Sequence, residues 1–159
     1  MKALSLWCLA VSVVVVEAGC VKSAASSACT PKSASSEEPN ITAFASSKGI
    51  SATKDASGLY YQIMSAGSGA TPTSTSKVFV NYTGKFLTGQ VFDQQTNSSQ
   101  TGWVLGQLIQ GWIIGLQLIQ KGGDIKLIVP SSLAYGCQGS GPIPPNTVLY
   151  FDVQLVEVQ

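Results

Sequence analysis

Short runs in which apolar and polar residues alternate, each bounded by turn residues, constrain this chain more than any other feature. Lys77 to Phe86 sets Val78, Val80 and Tyr82 on one face and Phe79, Asn81 and Thr83 on the other. Asp124 to Val129 turns Ile125, Leu127 and Val129 one way, and Val148 to Val158 aligns Leu149, Phe151, Val153 and Leu155. Leu59 to Met64 is a further strand, and Val91-Phe92 follows the turn Leu87-Thr88-Gly89-Gln90. Among these runs only Gly111 to Ile119 reads as a helix, stopped by Gly122-Gly123. Strands linked by turns around one helix predict an α+β domain, an antiparallel sheet of five or six strands wrapped around that short helix.

A second, shorter helix is expected upstream. Ile41, Phe44 and Ala45 have helical spacing, Glu37, Glu38 and Pro39 suit a first turn, and Gly49 suits the stop, with Ile50 folding back on Phe44 or Ala45. About ten residues do not hold a helix alone in water, so this one must dock. The residues before it, Val21 to Pro39, are rich in Ser, Ala and Lys and read as a flexible tether. The division expected is 1–19 leader, 20–39 tether, 40–58 docking helix and linker, and 59–159 the sheet domain.

The leader follows from an apolar run, Leu4 to Val16, broken only by Ser5 and Ser12. About 13 residues is short for a bilayer span and right for a secretory signal. It ends in Val15-Val16-Glu17-Ala18-Gly19-Cys20, which resembles a bacterial lipoprotein signal. That resemblance implies cleavage before Cys20, lipid on its thiol and a membrane anchor in a bacterial envelope, on the periplasmic side or at the outer membrane. Glu17 stands where an aliphatic residue is usual, and the same letters fit cleavage after Ala18 and plain secretion. Of four cysteines, Cys8 leaves with the signal and Cys20 would carry lipid. Cys29 and Cys137 then remain as an even pair in an oxidising compartment, either bridged across more than 100 residues or as two free thiols.

Composition removes several chemistries. There is no histidine, which excludes Ser-His-Asp and Cys-His catalysis and histidine-ligated zinc. Nine basic residues, all lysine, against eight acidic ones leave a net charge of +1, so nucleic acid is not an expected partner. No cofactor and no metal are expected. What remains is a set of aromatic residues from separate elements: Tyr82, Phe92, Trp103, Trp112, Tyr135 and Phe151, with Asp93 directly after Phe92. They are either ordinary core or the lining of an apolar hollow with a carboxylate at its border, as small ligand sites are built.

Seven blocks, in order, carry a family resemblance. They are Val80-Asn81-Tyr82-Thr83-Gly84, Gly89-Gln90-Val91-Phe92-Asp93, Val104-Leu105-Gly106, Ile109-Gln110-Gly111-Trp112, Gly122 to Pro130, Leu133-Ala134-Tyr135-Gly136, and Ile143 to Val153. Together, from about Leu59 to Val158, they closely resemble FKBP-type peptidyl-prolyl cis-trans isomerases, and the leader and tether look like the lipid-anchored bacterial members. The resemblance implies that Tyr82, Phe92, Leu108, Ile109, Trp112 and Phe151 line a proline pocket with Trp112 as its floor and Ile143 at its edge. It implies that the Tyr135 hydroxyl and the Ile109 backbone N–H meet substrate carbonyls. Asp93 would face the twisting amide or only accept hydrogen bonds from the loop or Tyr82. The catalytic set so implied is Asp93, Tyr135 and Tyr82. Proline-containing polypeptides would be the substrates, and macrolide ligands of the family are a further implied partner. Thr101 replaces an aromatic expected two residues before Trp103, and Ile113-Ile114 stands where polar residues are usual. Both departures concern the rim. A non-catalytic chaperone or peptide-binding module on the same fold is the alternative.

Overall fold

The computed structural model describes residues 29–159. The expected leader, the cleavage sites and Cys20 lie outside the described residues. Helix α1, Ala34–Ser47, is followed by strands β1 (Thr53–Lys54), β2 (Tyr60–Ser65), β3 (Lys77–Phe86), β4 (Val91–Gln95) and β5 (Trp103–Val104). Helix α2 (Gln110–Leu116) and strands β6 (Asp124–Val129) and β7 (Leu149–Val158) complete it. The strands form one sheet, every pairing antiparallel, in the order β1-β2-β6-β7-β3-β4, with β5 paired to β3.

Alternation along the strands fills two separate cores. On the concave face Leu59, Val78, Val80, Ile125, Leu127, Val129, Leu149, Phe151, Val153 and Leu155 pack around α2, which contributes Trp112 and Leu116. Gly111 and Gly115 let that helix approach. A Cβ at Gly111 would meet Val129 Cγ1 at 2.5 Å, and one at Gly115 would meet Leu127 Cδ2 at 2.5 Å. Two glycines four apart therefore make a smooth helix face against β6, and Trp112, next to Gly111, is set at one end of the concave face.

On the opposite face Tyr60, Ile128 and Tyr150 meet Ile41, Phe44, Ala45 and Ile50. This second core is what holds α1, and Phe44 stacks tilted on Tyr150 with ring centroids 5.3 Å apart. Glu38 fastens the same helix at its surface, accepting from Tyr60 Oη at 2.6 Å and Lys54 Nζ at 2.7 Å. The helix ends on Gly49, whose φ is +63°, with the Ile50 N–H donating to Ala45 O at 2.9 Å. Its start differs from the expected one. The helix begins at Ala34, capped by the Ser33 side chain, so residues 34–39 are helical rather than tether, and Pro39 lies inside the helix rather than in its first turn. Docking through Glu37 and the apolar face supplies the stabilisation that Ser and Ala alone do not, which carries the helix upstream of Pro39.

Cys29 and Cys137 are joined as a disulfide with Cα atoms 5.5 Å apart, spanning 108 residues. It ties the arm before α1 to the β6–β7 connection. Among the described residues no helix is long and apolar enough to cross a membrane.

Candidate active site

The concave face is not filled to its end. Between the C-terminal half of β3, β4, β5, the start of α2 and the β6–β7 connection lies a hollow of about 320 Å³. Its walls are Tyr82, Phe92, Asp93, Trp103, Gln107, Leu108, Ile109, Trp112, Tyr135 and Phe151. Sheet register puts them there. Tyr82 and Gly84 point inward from β3, Gly84 is paired with Asp93 on one side and with Phe151 on the other, and Tyr82 is paired with Val153.

The rings form a continuous edge-to-face arrangement. Trp112 is 5.4 Å from Phe151 at 86° and 5.2 Å from Tyr82 at 85°, and Phe92 meets Phe151 at 5.6 Å and 89°. Such pairs are favourable in themselves and hold one another upright. Trp112 is buried at 4 % exposure and Phe151 likewise at 4 %, so they form the deep end. Tyr82, Phe92, Leu108 and Ile109 are half-buried and form the walls. The Trp112 indole N–H is buried and has no acceptor among the described residues.

Besides the two indoles, the polar side chains of the lining are Tyr82, Asp93, Gln107 and Tyr135. The Tyr82 hydroxyl donates to Asp93 Oδ2 at 2.6 Å. Burial, and then this bond to a carboxylate, hold the Tyr82 phenol well above the usual tyrosine range. Burial and the charge of Asp93 raise the Tyr135 phenol in the same direction. Both phenols therefore stay protonated donors at neutral pH. Tyr135 is 38 % exposed, and its hydroxyl makes no hydrogen bond among the described residues. Ile109 caps α2 in extended conformation, and its N–H likewise has no acceptor there.

Of the residues expected at the site, Asp93, Tyr82, Tyr135, Phe92, Leu108, Ile109, Trp112 and Phe151 all come together around one hollow. Ile143, expected at the edge, is 7 % exposed and packs in the concave core that the hollow adjoins. Trp103 and Gln107 are the additions. Trp103 packs 5.9 Å from Tyr82 and 6.4 Å from Trp112, so an indole occupies the wall near the position where Thr101 lacks a ring. Its membership of the aromatic set was the available signal, whereas nothing in the local pattern marks Gln107. Thr101 instead bonds the β3 backbone, its hydroxyl accepting from Val80 N at 2.9 Å. No group of three or more His, Cys, Asp or Glu able to hold a metal occurs among the described residues.

Comparison with known proteins agrees with this geometry. Residues 69–156, more than half of the chain, match the family model of the FKBP-type peptidyl-prolyl cis-trans isomerases. A probable FKBP-type peptidyl-prolyl cis-trans isomerase of Haemophilus influenzae is 47 % identical over 117 residues, covering 72 % of this chain and 48 % of that protein. The FKBP-type isomerase FkpA of Escherichia coli is 43 % identical over 117 residues, 73 % of this chain and 43 % of that one. Its crystal structure superposes with a TM-score of 0.68 at 39 % identity, covering 80 % of this chain and 59 % of the other. A peptidyl-prolyl cis-trans isomerase structure from Pseudomonas syringae pv. tomato gives a TM-score of 0.65 at 29 % identity, covering 82 % and 98 %. The chain thus spans a little under half the length of the curated relatives it matches. An aromatic hollow closed by Trp112, on a sheet of this topology and with this match along the sequence, means that the chain belongs to the family of FKBP-type peptidyl-prolyl cis-trans isomerases.

Proposed function

We propose that the protein accelerates cis–trans rotation about X–Pro bonds in polypeptides, binding the proline ring in the hollow. The observation that carries this reading is the edge-to-face cluster of Tyr82, Phe92, Trp112 and Phe151, lining one hollow together with Tyr135 and Asp93.

Amide resonance sets a barrier of about 18–20 kcal/mol to this rotation. The two planar isomers differ by only about 0.5–1 kcal/mol, yet exchange takes tens to hundreds of seconds. No bond is broken, so no nucleophile, metal or imidazole is required. At a quarter turn the resonance is lost, the carbonyl carries less charge and the nitrogen becomes pyramidal. An apolar cavity stabilises that less polar state relative to either planar one, which is differential binding of the transition state. The Tyr135 hydroxyl and the Ile109 N–H, both without acceptors among the described residues, hold two substrate carbonyls and fix the twist between them. Asp93, held by Tyr82, lies at the border where the pyramidal nitrogen would sit. About 4 kcal/mol of such preference corresponds to a thousandfold in rate.

The same reading extends to location and partners. A chain beginning with the apolar run Leu4 to Val16 and reaching Cys20 fits export and lipid attachment at that cysteine. The 13 residues from Val21 to Ser33 then link the anchor to α1. A Cys29–Cys137 bridge suits the oxidising compartment this implies. Substrates would be proline-containing segments of envelope proteins, and macrolides of the kind the family takes would compete for the hollow. The test is refolding of a protein whose slow phase is prolyl isomerisation: catalytic amounts should speed that phase and leave the fast phases unchanged. Equal acceleration by a Phe92→Ala,Trp112→Leu variant would move the activity away from the hollow.

A further inference from the structure

Glu37 is the one fully buried acidic side chain among the described residues, at 2 % exposure. Apolar contacts of Ile41, Phe44 and Ala45 already dock α1, and a carboxylate is costly to bury unless it is hydrogen-bonded. Its partner is distant in sequence and specific: Glu37 Oε2 accepts from the backbone N–H of Ser131 at 2.8 Å, where a 3-10 turn, Ser131–Leu133, opens the β6–β7 connection.

Ser131 is itself a hub. Its carbonyl accepts from the N–H of Ala134 at 3.1 Å and of Gly136 at 2.8 Å, the two neighbours of Tyr135. The Gly136 carbonyl in turn accepts from Asn146 N at 2.8 Å. Asn146 Nδ2 donates to Thr30 O at 3.0 Å, and Cys137 is bridged to Cys29. One N-terminal stretch, Cys29 to Glu37, therefore grips the connection on both sides of Tyr135. The Tyr135 hydroxyl has no side-chain partner of its own among the described residues, so the backbone from 131 to 136 is what aims it.

We infer that Glu37 is a positioning residue for the Tyr135 phenol, acting through the Ser131 peptide, and that α1 is thereby part of the isomerase site and not only a docked appendage. This role rests on reading the hollow as the X–Pro site.

A double-mutant cycle on the full domain tests it. kcat and KM toward a short X–Pro peptide are measured for Glu37→Ala, Tyr135→Phe and the double variant, well below each melting temperature. Glu37→Ala should lower kcat/KM roughly fivefold, and Glu37→Gln, which still offers an acceptor to Ser131, should recover most of that loss. In the Tyr135→Phe background Glu37→Ala should cost almost nothing more. Glu37→Leu keeps the side-chain bulk without the acceptor and serves where the Ala variant fails to fold. Equal losses in both backgrounds, or a folded Glu37→Leu with wild-type rates, overturn the role. A silent Tyr135→Phe in an active enzyme removes the phenol and Glu37 together while the isomerase reading stands. A wild-type chain that leaves every X–Pro peptide unaccelerated removes that reading itself.

Discussion

Tyr82 donates its hydroxyl hydrogen to Asp93 Oδ2 at 2.6 Å across the β3–β4 pair, so the one carboxylate at the mouth of the hollow is committed to a phenol on its wall. The bond restricts the swing of the carboxylate, and in the proposed mechanism that keeps it facing the proline nitrogen. Tyr82→Phe leaves the ring in place and frees Asp93, so kcat should fall by a few-fold with little change in melting temperature. Isomerase kinetics paired with thermal unfolding check this; an unchanged kcat would make Asp93 orientation irrelevant to the rotation.

Tyr135→Phe removes a donor that has no partner among the described residues. Stability should stay within about 0.5 kcal/mol of wild type, as for other substitutions that leave no group newly unsatisfied. kcat/KM should fall roughly fivefold, the worth of about one hydrogen bond made only with the substrate. Chemical denaturation and peptide isomerisation, measured on one preparation, separate the two effects.

Gly84 sits under the Phe92 and Phe151 rings. A Cβ there would lie 2.7 Å from Phe92 Cζ and 3.0 Å from Phe151 Cε1. Gly84→Ala therefore has to tilt Phe92 into the hollow. We expect a stability loss of about 1–3 kcal/mol, as for overpacked cores, together with a raised KM for bulky residues before proline. A peptide series varying that residue reads the second effect.

These three sites differ in how legible they are from the amino-acid sequence. The ten-residue alternations of β3 and β7 are readable because one face of each strand packs in the concave core, whereas the other carries polar, less buried residues such as Asn81, Thr83, Asp152 and Gln154. The strands β1 and β5 are two residues each, too short for any period, and exist only because β2 and β3 offer free edges. The start of α1 at Ala34 was hidden because Pro39 reads as a helix opening, and the contact that overrides it, Glu37 to Ser131, joins residues 94 apart. At the site, the inward rings on β3 and β7 follow from alternation, whereas the places of Trp103, Gln107 and Ile143 depend on how loops fold over the end of the sheet.

Reduction of the Cys29–Cys137 bridge opens a loop of 108 residues. In the chain-entropy model a closure of that length stabilises by about 4–5 kcal/mol. Denaturant titration with and without reductant should show a loss of that order, and Cys137→Ser should reproduce it. Coincident curves would mean that the thiols are not bridged in the folded protein.

Stability should be flat from about pH 5 to 9, because the chain has no histidine to titrate there. Burial raises the phenol of Tyr82, as it does that of Tyr150, with bonds to Asp93 and Asp152 adding to it. A raised phenol holds its proton more tightly folded than unfolded, so this stabilisation is complete below about pH 10 and is lost as pH climbs beyond it. Burial alone would raise Asp152, but hydrogen bonds from Tyr150 and Lys126 outweigh it and lower the carboxyl. Its contribution is present above about pH 4 and lost on acidification. Melting temperatures across the range would show both falling edges, and a step near pH 6.5 would contradict the assignment.

The most direct measurement is exchange spectroscopy on a short X–Pro peptide with micromolar protein. A hollow that favours the twisted amide should bring cis–trans exchange from the tens-to-hundreds-of-seconds regime to well under a second, and Phe92→Ala should undo most of that gain. A peptide that binds in the hollow, shifting the Trp112 and Phe151 resonances, while its exchange rate stays at the uncatalysed value would show a binding site without rotamase chemistry.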